Sequence, residues 1–302
     1  MREPILTVKG LTKKYKNHTV VNNVDLEAYE GEILGVLGHN GAGKTTLIES
    51  IQGLRQPDGG TVSVYGYDPV KQRRKVRDII GSQLQQSELP AKLKVGEAFQ
   101  LFSRKHESNI PELLKEWGLQ EKEDAYFASL SGGQKQKLFI ALALINDPKI
   151  VFLDELTTGL DPFARREVWK SIKKIRKKGV SVVLVSHFID EVDELCDRII
   201  IMKKGKVKAR GTIQEINAQY ANEVTVKFDL KGVDTDVSSF KKAPGMTKVV
   251  QHGRKVTLIG TQEMILHVGS FLQKHKIDPA NLEIHQASLE DAFIKINGGH
   301  YA

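Results

Sequence analysis

The stretch GHNGAGKT, residues 38–45, constrains this 302-residue chain more than any other feature. It follows ILGVL, an apolar run of strand length, and opens a helical pattern that starts near Lys44 and reaches about Gly53. Glycines let backbone N–H groups turn inward around an anion, and a helix N-terminus adds partial positive charge. Gly38, His39, Asn40, Gly41, Ala42 and Gly43 therefore form a candidate cradle for a phosphate chain. Lys44 is placed to reach its β- and γ-phosphates and Thr45 to offer a hydroxyl to Mg²⁺, with Thr46 beside them. A strand that ends in such a loop and a helix belongs to an α/β fold.

A metal held by a phosphate chain needs an acidic partner, and IVFLDE at 150–155 supplies one. Asp154 closes an apolar run and falls at the C-terminal edge of a buried strand, where open α/β sheets bind ligands. Asp154 suits the Mg²⁺ role, and Glu155 is placed to polarise an attacking water. SVVLVSH at 181–187 is a second continuous apolar run. Such runs alternating with helical patterns predict a parallel sheet covered on both faces. LSGGQ at 130–134 then supplies a second anion cradle, with Ser131, Gly132, Gly133 and Gln134 opening a helix that runs to about Asn146.

With both cradles in one chain, residues 5–215 resemble the ATP-binding cassette (ABC) family. The resemblance implies a P-loop NTPase nucleotide-binding domain, a mixed-sheet α/β core with an inserted helical subdomain, that hydrolyses ATP with Mg²⁺. It further implies a head-to-tail dimer in which the signature of one subunit closes over the nucleotide of a second ATP-binding subunit. Tyr15 falls where family members stack an aromatic on adenine. Gln85 in IIGSQLQ matches the glutamine that senses Mg²⁺ and the attacking water, with Gln83 and Gln86 as alternative registers. Asp161 in TTGLDP matches the loop that crosses the dimer interface, and His187 the histidine that contacts the γ-phosphate. Two departures stand out: Leu156 replaces the Pro common after the catalytic Glu, and KQK follows the signature where KQR is usual. Neither removes a catalytic group.

The chain carries 45 Lys+Arg against 37 Asp+Glu, a formal charge of +8. Two basic runs, KQRRKVR at 71–77 and KSIKKIRKK at 170–178, raise nucleic acid as a partner, but neither is interleaved with several aromatics as a stacking surface would be. In the second, Val168, Ile172 and Ile175 recur at helical spacing, which predicts a core-facing stripe beneath a solvated lysine face. A single cysteine, Cys196, forms no intrachain disulfide, and no apolar run approaches a membrane span. The chain therefore reads as cytoplasmic.

The family resemblance adds a separate transmembrane permease subunit that would hold the chain peripherally on the inner face of the membrane. The segment 87–102 would form the docking groove, with Leu89, Leu93, Phe99 and Phe102 as candidate apolar contacts, against the competing reading that most of these side chains are local core. The competing reading is a non-transport ABC ATPase acting on ribosomes or nucleic acid. One set of motifs, and only 110 residues between Lys44 and Asp154, favour transport. Composition changes near residue 215, which divides the chain into a 1–215 cassette and a 216–302 accessory α+β domain. The accessory segment contains no chemical motif. Its ending, SLEDAFIKING, is similar to the tails of bacterial ABC-2-type exporter subunits.

Overall fold

The computed structural model describes residues 3–83, 88–104, 110–230, 237–278 and 282–298. The chain divides into two compact units, Met1–Ile213 and Gln214–Ala302.

The first unit contains two sheets. Strands β1 (Pro4–Tyr15), β2 (His18–Tyr29) and β4 (Gly59–Val64) form an antiparallel sheet of order β2-β1-β4. The larger sheet uses β3 (Ile33–Leu37), β5 (Ile80–Gln83), β6 (Ile150–Asp154), β7 (Ser181–Ser186), β8 (Arg198–Lys203) and β9 (Lys206–Gly211), in the order β5-β6-β7-β3-β8-β9. All its pairings are parallel except β8 with β9. Alternation along β6 shows why the central strands are apolar throughout. Val151 and Leu153 enter one core and Ile150 and Phe152 the other, so each face is buried.

Helices α1 (Lys44–Ile51), α2 (Arg73–Ile79), α3 (Val95–Phe102), α4 (Ile110–Glu116), α5 (Gly132–Leu144), α6 (Pro162–Lys177), α7 (Ile189–Leu195) and α8 (Ile213–Tyr220) connect the strands. Val168, Ile172 and Ile175 of α6 are buried as their spacing predicts. In the first basic run, α2 turns Val76 into the core. Among the candidate docking contacts, Phe99 takes the local-core role. It is completely buried among the α3 and α5 side chains, since its position on α3 faces inward with Val95 and Ala98. Leu89 and Leu93 pack half-buried against the same core, whereas Phe102 and Leu101 are exposed.

The second unit is a four-stranded antiparallel sheet of order β11-β12-β10-β13, formed by β10 (Val224–Asp229), β11 (Met246–His252), β12 (Lys255–Gly260) and β13 (Glu283–Gln286). Val224, Val226 and Phe228 share its core with Met264, Val268 and Leu272 of α9 (Met264–Lys274). Ser288 and Asp291 form a reciprocal cap on α10 (Leu289–Ile296), as the sequence spacing predicts. Among the described residues no helix is long and apolar enough to cross a membrane.

Gly81 is a point where strand and helix meet without room for a side chain. A Cβ there would lie 2.0 Å from the Ala143 carbonyl oxygen of α5 and 3.0 Å from Val151. Gly81→Ala should therefore force β5 and α5 apart and destabilise the first unit by about 1–3 kcal/mol. Thermal unfolding checks this, and a midpoint equal to that of the native chain would show the contact to be loose.

Candidate nucleotide site

Strand register brings the chemistry together. Leu37 of β3 pairs with Ser186 of β7, and Asp154 of β6 pairs with Val185. The phosphate loop, Asp154 with Glu155, and His187 therefore all leave the sheet at one C-terminal edge.

The loop is built by backbone constraints. Gly43 has φ 97°, and a Cβ on it would come within 2.5 Å of the Val20 carbonyl oxygen. Both its conformation and its surroundings demand glycine. The Gly205 N–H donates to Ala42 O at 3.0 Å, fastening the loop from the β8–β9 turn. No side chain caps the N-terminus of α1. His39, Asn40 and Gly41 are exposed, while Gly38, Ala42 and Gly43 are buried.

Lys44 is buried beneath the loop and its Nζ donates to Gly38 O at 2.8 Å and His39 O at 3.2 Å. Its ammonium also lies 3.9 Å from Glu155 Oε1. Burial pulls the ammonium pKa below its usual range despite the opposing pull of Glu155 and Asp154. Thr45 Oγ1 donates to Asp154 Oδ2 at 3.2 Å, while Asp154 Oδ1 is buried with no hydrogen-bond partner. Burial raises the Asp154 carboxyl to about 6. The Thr45 hydrogen bond lowers it in part, and the neighbouring Glu155 charge adds to the rise.

Glu155 stands in left-handed backbone at φ 50°, with its N–H donating to Val185 O at 2.9 Å. Its Oε1 is 3.2 Å from His187 Nδ1. The His187 ring in turn packs on Phe188, with ring centroids 4.1 Å apart. Lys44, Thr45, Asp154, Glu155 and His187 thus form one cluster able to meet a polyanion, a cation and a water. Thr46 sits in the first turn of α1, where its carbonyl accepts from Ser50 Oγ at 2.7 Å.

The signature forms a second group. Ser131 caps α5, its Oγ accepting from Gln134 N at 3.3 Å while Gln134 Oε1 accepts from Ser131 N at 2.9 Å. A Cβ on Gly132 would lie 3.3 Å from Leu160, and one on Gly133 would lie 3.5 Å from Ala164, so the signature abuts the Asp161 turn. Asp161 itself caps α6, with Oδ1 accepting from Phe163 N and Ala164 N, each at 2.9 Å.

Tyr15 ends β1 exposed, and its hydroxyl accepts from Arg55 Nη1 at 2.8 Å. Lys13 and Arg55 stand over its ring at 5.5 and 5.7 Å. Sequence reasoning missed Arg55, which no motif marks. It also missed Gly205, although a KKGK turn between β-rich runs was a usable signal. Gln83 is buried at the end of β5, whereas Gln85 and Gln86 lie outside the described residues.

The oxygen donors fit a hard cation. Asp154 offers a buried oxygen without a partner beside the Thr45 hydroxyl, the ligand type that Mg²⁺ prefers. Among the described residues no cluster of three His, Cys, Asp or Glu side chains could hold a metal by itself. Nucleotide phosphates and water would have to complete its coordination.

Comparison with known proteins gives the family. Residues 21–158 match the ABC transporter family. The chain is 31% identical to daunorubicin resistance ATP-binding protein DrrA3 of Streptomyces coeruleorubidus, across 99% of this chain and 97% of that protein. It is likewise 31% identical to Nod factor export ATP-binding protein I of Ralstonia nicotianae, across 98% of this chain and 94% of that one. A solved ATP-binding subunit of an ABC transporter superposes with a TM-score of 0.65 at 30% identity, covering 72% of this chain and 93% of the other. The chain belongs to the ABC transporter family, as an ATP-binding subunit that hydrolyses ATP to drive transport.

The Asp154 carboxyl generates a pH prediction. Its folded pKa lies above the ordinary value, so the protonated form favours folding. That stabilisation is fully present below about pH 4 and is lost as pH rises through about 6. Without nucleotide or Mg²⁺, Asp154→Asn should raise the thermal midpoint at pH 7.5, and the gain should shrink steadily towards pH 4.5. A pH-independent gain, or none, would show that the buried charge is not the cause.

Proposed function

We propose that the chain works with a second ATP-binding subunit, a second copy in the simplest case, and a separate transmembrane permease, and that it powers export. Supporting this reading is the full-length likeness to ATP-binding proteins named for daunorubicin resistance and Nod factor export, which extends through residues 216–302. The permease would hold the subunit at the inner face of the membrane. Exposed Leu101 and Phe102, at the end of α3, would offer apolar contact there.

In this reading the nucleotide chemistry belongs to the 1–215 cassette, and 216–302 is an accessory domain. Tyr15 stacks on adenine. The 38–43 loop, Thr46 and the start of α1 bind the phosphates, and Lys44 exchanges its loop carbonyls for β- and γ-phosphate oxygens. Thr45 and Asp154 would hold Mg²⁺, with Gln85 as the third candidate, and the cation supplies neutralisation of phosphate charge when bound. Glu155 polarises the attacking water and accepts its proton, and His187 contacts the γ-phosphate. Ser131, Gly132, Gly133, Gln134 and the Asp161 turn of one subunit close on the nucleotide held by the other. ATP then favours the closed dimer because it binds that form better.

Two measurements test these assignments. Glu155→Gln should slow hydrolysis on the order of 10²–10⁴-fold while ATP still binds. Undiminished turnover would remove Glu155 from the base role. Purification of the subunit from its own membranes in mild detergent should bring down a multi-span membrane protein. Co-elution of ribosomal proteins instead would replace the transport assembly with the non-transport reading.

A further inference from the structure

Glu191 is completely buried on α7, four residues beyond His187, and the reaction set out above does not use it. A carboxyl is rarely buried without donors to satisfy it. Here Glu191 Oε1 accepts from Thr157 Oγ1 at 2.9 Å and from Trp169 Nε1 at 3.2 Å. Thr157 is itself fully buried and stands two residues past Glu155. Trp169 lies on α6, the helix that Asp161 caps. Burial raises the Glu191 pKa, and the Ser186, Thr157 and Trp169 donors and the Arg165 charge act against that rise. Ser186 is the residue immediately before His187.

One buried carboxyl therefore joins the segment after Glu155 to α6 and to the helix that follows His187. An outer tether runs beside it. Arg165 of α6 pairs with Asp190 at 2.8 Å, and its guanidinium lies 4.4 Å over the Phe188 ring that packs on His187. The loop needs such restraint. Glu155 has an unfavourable positive φ for a residue with a side chain, and Leu156 lacks the ring that would fix φ at the next position.

We propose that Glu191 is a positioning residue for ATP hydrolysis, its Oε1 bridging Thr157 and Trp169 so that Glu155 and His187 are held in contact. The inference rests on the roles of Glu155 and His187 proposed above. A displacement of about 1 Å in such a group can cost on the order of 10²-fold in rate.

Steady-state ATP hydrolysis by the full chain tests the bridge. Glu191→Ala should lower kcat by about tenfold or more while the KM for ATP changes by less than about threefold. Glu191→Gln keeps an acceptor oxygen for both donors and should restore kcat to within about threefold. Thr157→Val should lower kcat in the same way, and adding it to Glu191→Ala should cost little more, because Glu191→Ala already removes the Thr157–Glu191 bond. Native kcat in Glu191→Ala, a loss confined to KM, or a Gln variant as slow as the Ala variant would each overturn the bridge. If Glu191→Ala does not fold, Thr157→Val carries the test, and a native kcat in that variant overturns it. Glu155→Gln, assayed in parallel, separates the two levels. Full turnover there defeats the site assignment itself, whereas a slow Glu155→Gln beside a native Glu191→Ala defeats only the bridge.

Discussion

Parallel pairing of β3, β6 and β7 is the constraint on which the remaining geometry depends. Each strand is buried on both faces, so polar side chains can leave the core only at strand ends. Register then decides which ends meet. With Leu37 opposite Ser186 and Asp154 opposite Val185, a one-residue slip would exchange the faces of every central side chain and separate Asp154 from Thr45. Alternate side chains pack into two different cores, so shape complementarity on both faces sets the register that brings the candidate cluster together.

Within that cluster, lost hydration outweighs attraction between opposite charges. Lys44 has two carboxylates as neighbours, yet its pKa is lowered, and Asp154 has an ammonium and a hydroxyl nearby, yet its carboxyl rises to about 6. Each group is thus electrostatically unfavourable in the protein alone, and each would be improved by a ligand of opposite charge. A phosphate chain answers Lys44 and a divalent cation answers Asp154, so the two should bind most strongly together. This coupling is a physical reason for the proposed phosphate and metal motifs to share one sheet edge.

Much of this was legible in the sequence because local chemistry and tertiary position coincide there. GHNGAGKT carries its own conformational demand at Gly43, IVFLDE its burial and its exit, and LSGGQ the Ser131–Gln134 cap that starts α5. Where function depends on residues far apart in the chain, the pattern was silent. Thr157, Trp169 and Glu191 are an ordinary threonine, tryptophan and glutamate until folding brings α6 and α7 together. Phe99 stayed open between docking and core for a related reason: helical periodicity places it on an apolar face, but only packing shows that the face is already covered by α5. Phe102, three positions on, lies at the edge of that face and remains exposed.

The basic runs are resolved by the same three-dimensional argument. Along α6, Lys170 pairs with Glu167, Lys173 with Glu194, and Arg176 with Asp197, while Lys178 reaches Glu116 from the helix end. On and around α2, Arg73 donates to Gly53 O and Lys75 lies over Tyr67. Exposed pairs of this kind contribute only about 0–1 kcal/mol each to stability. Their effect on the surface potential is larger, because carboxylates from distant segments lie between the lysines and break up the positive field. Along α6 the basic run is therefore interspersed with acidic side chains in three dimensions. The first unit instead buries the Lys44 ammonium at the start of α1, where the helix N-terminus adds partial positive charge.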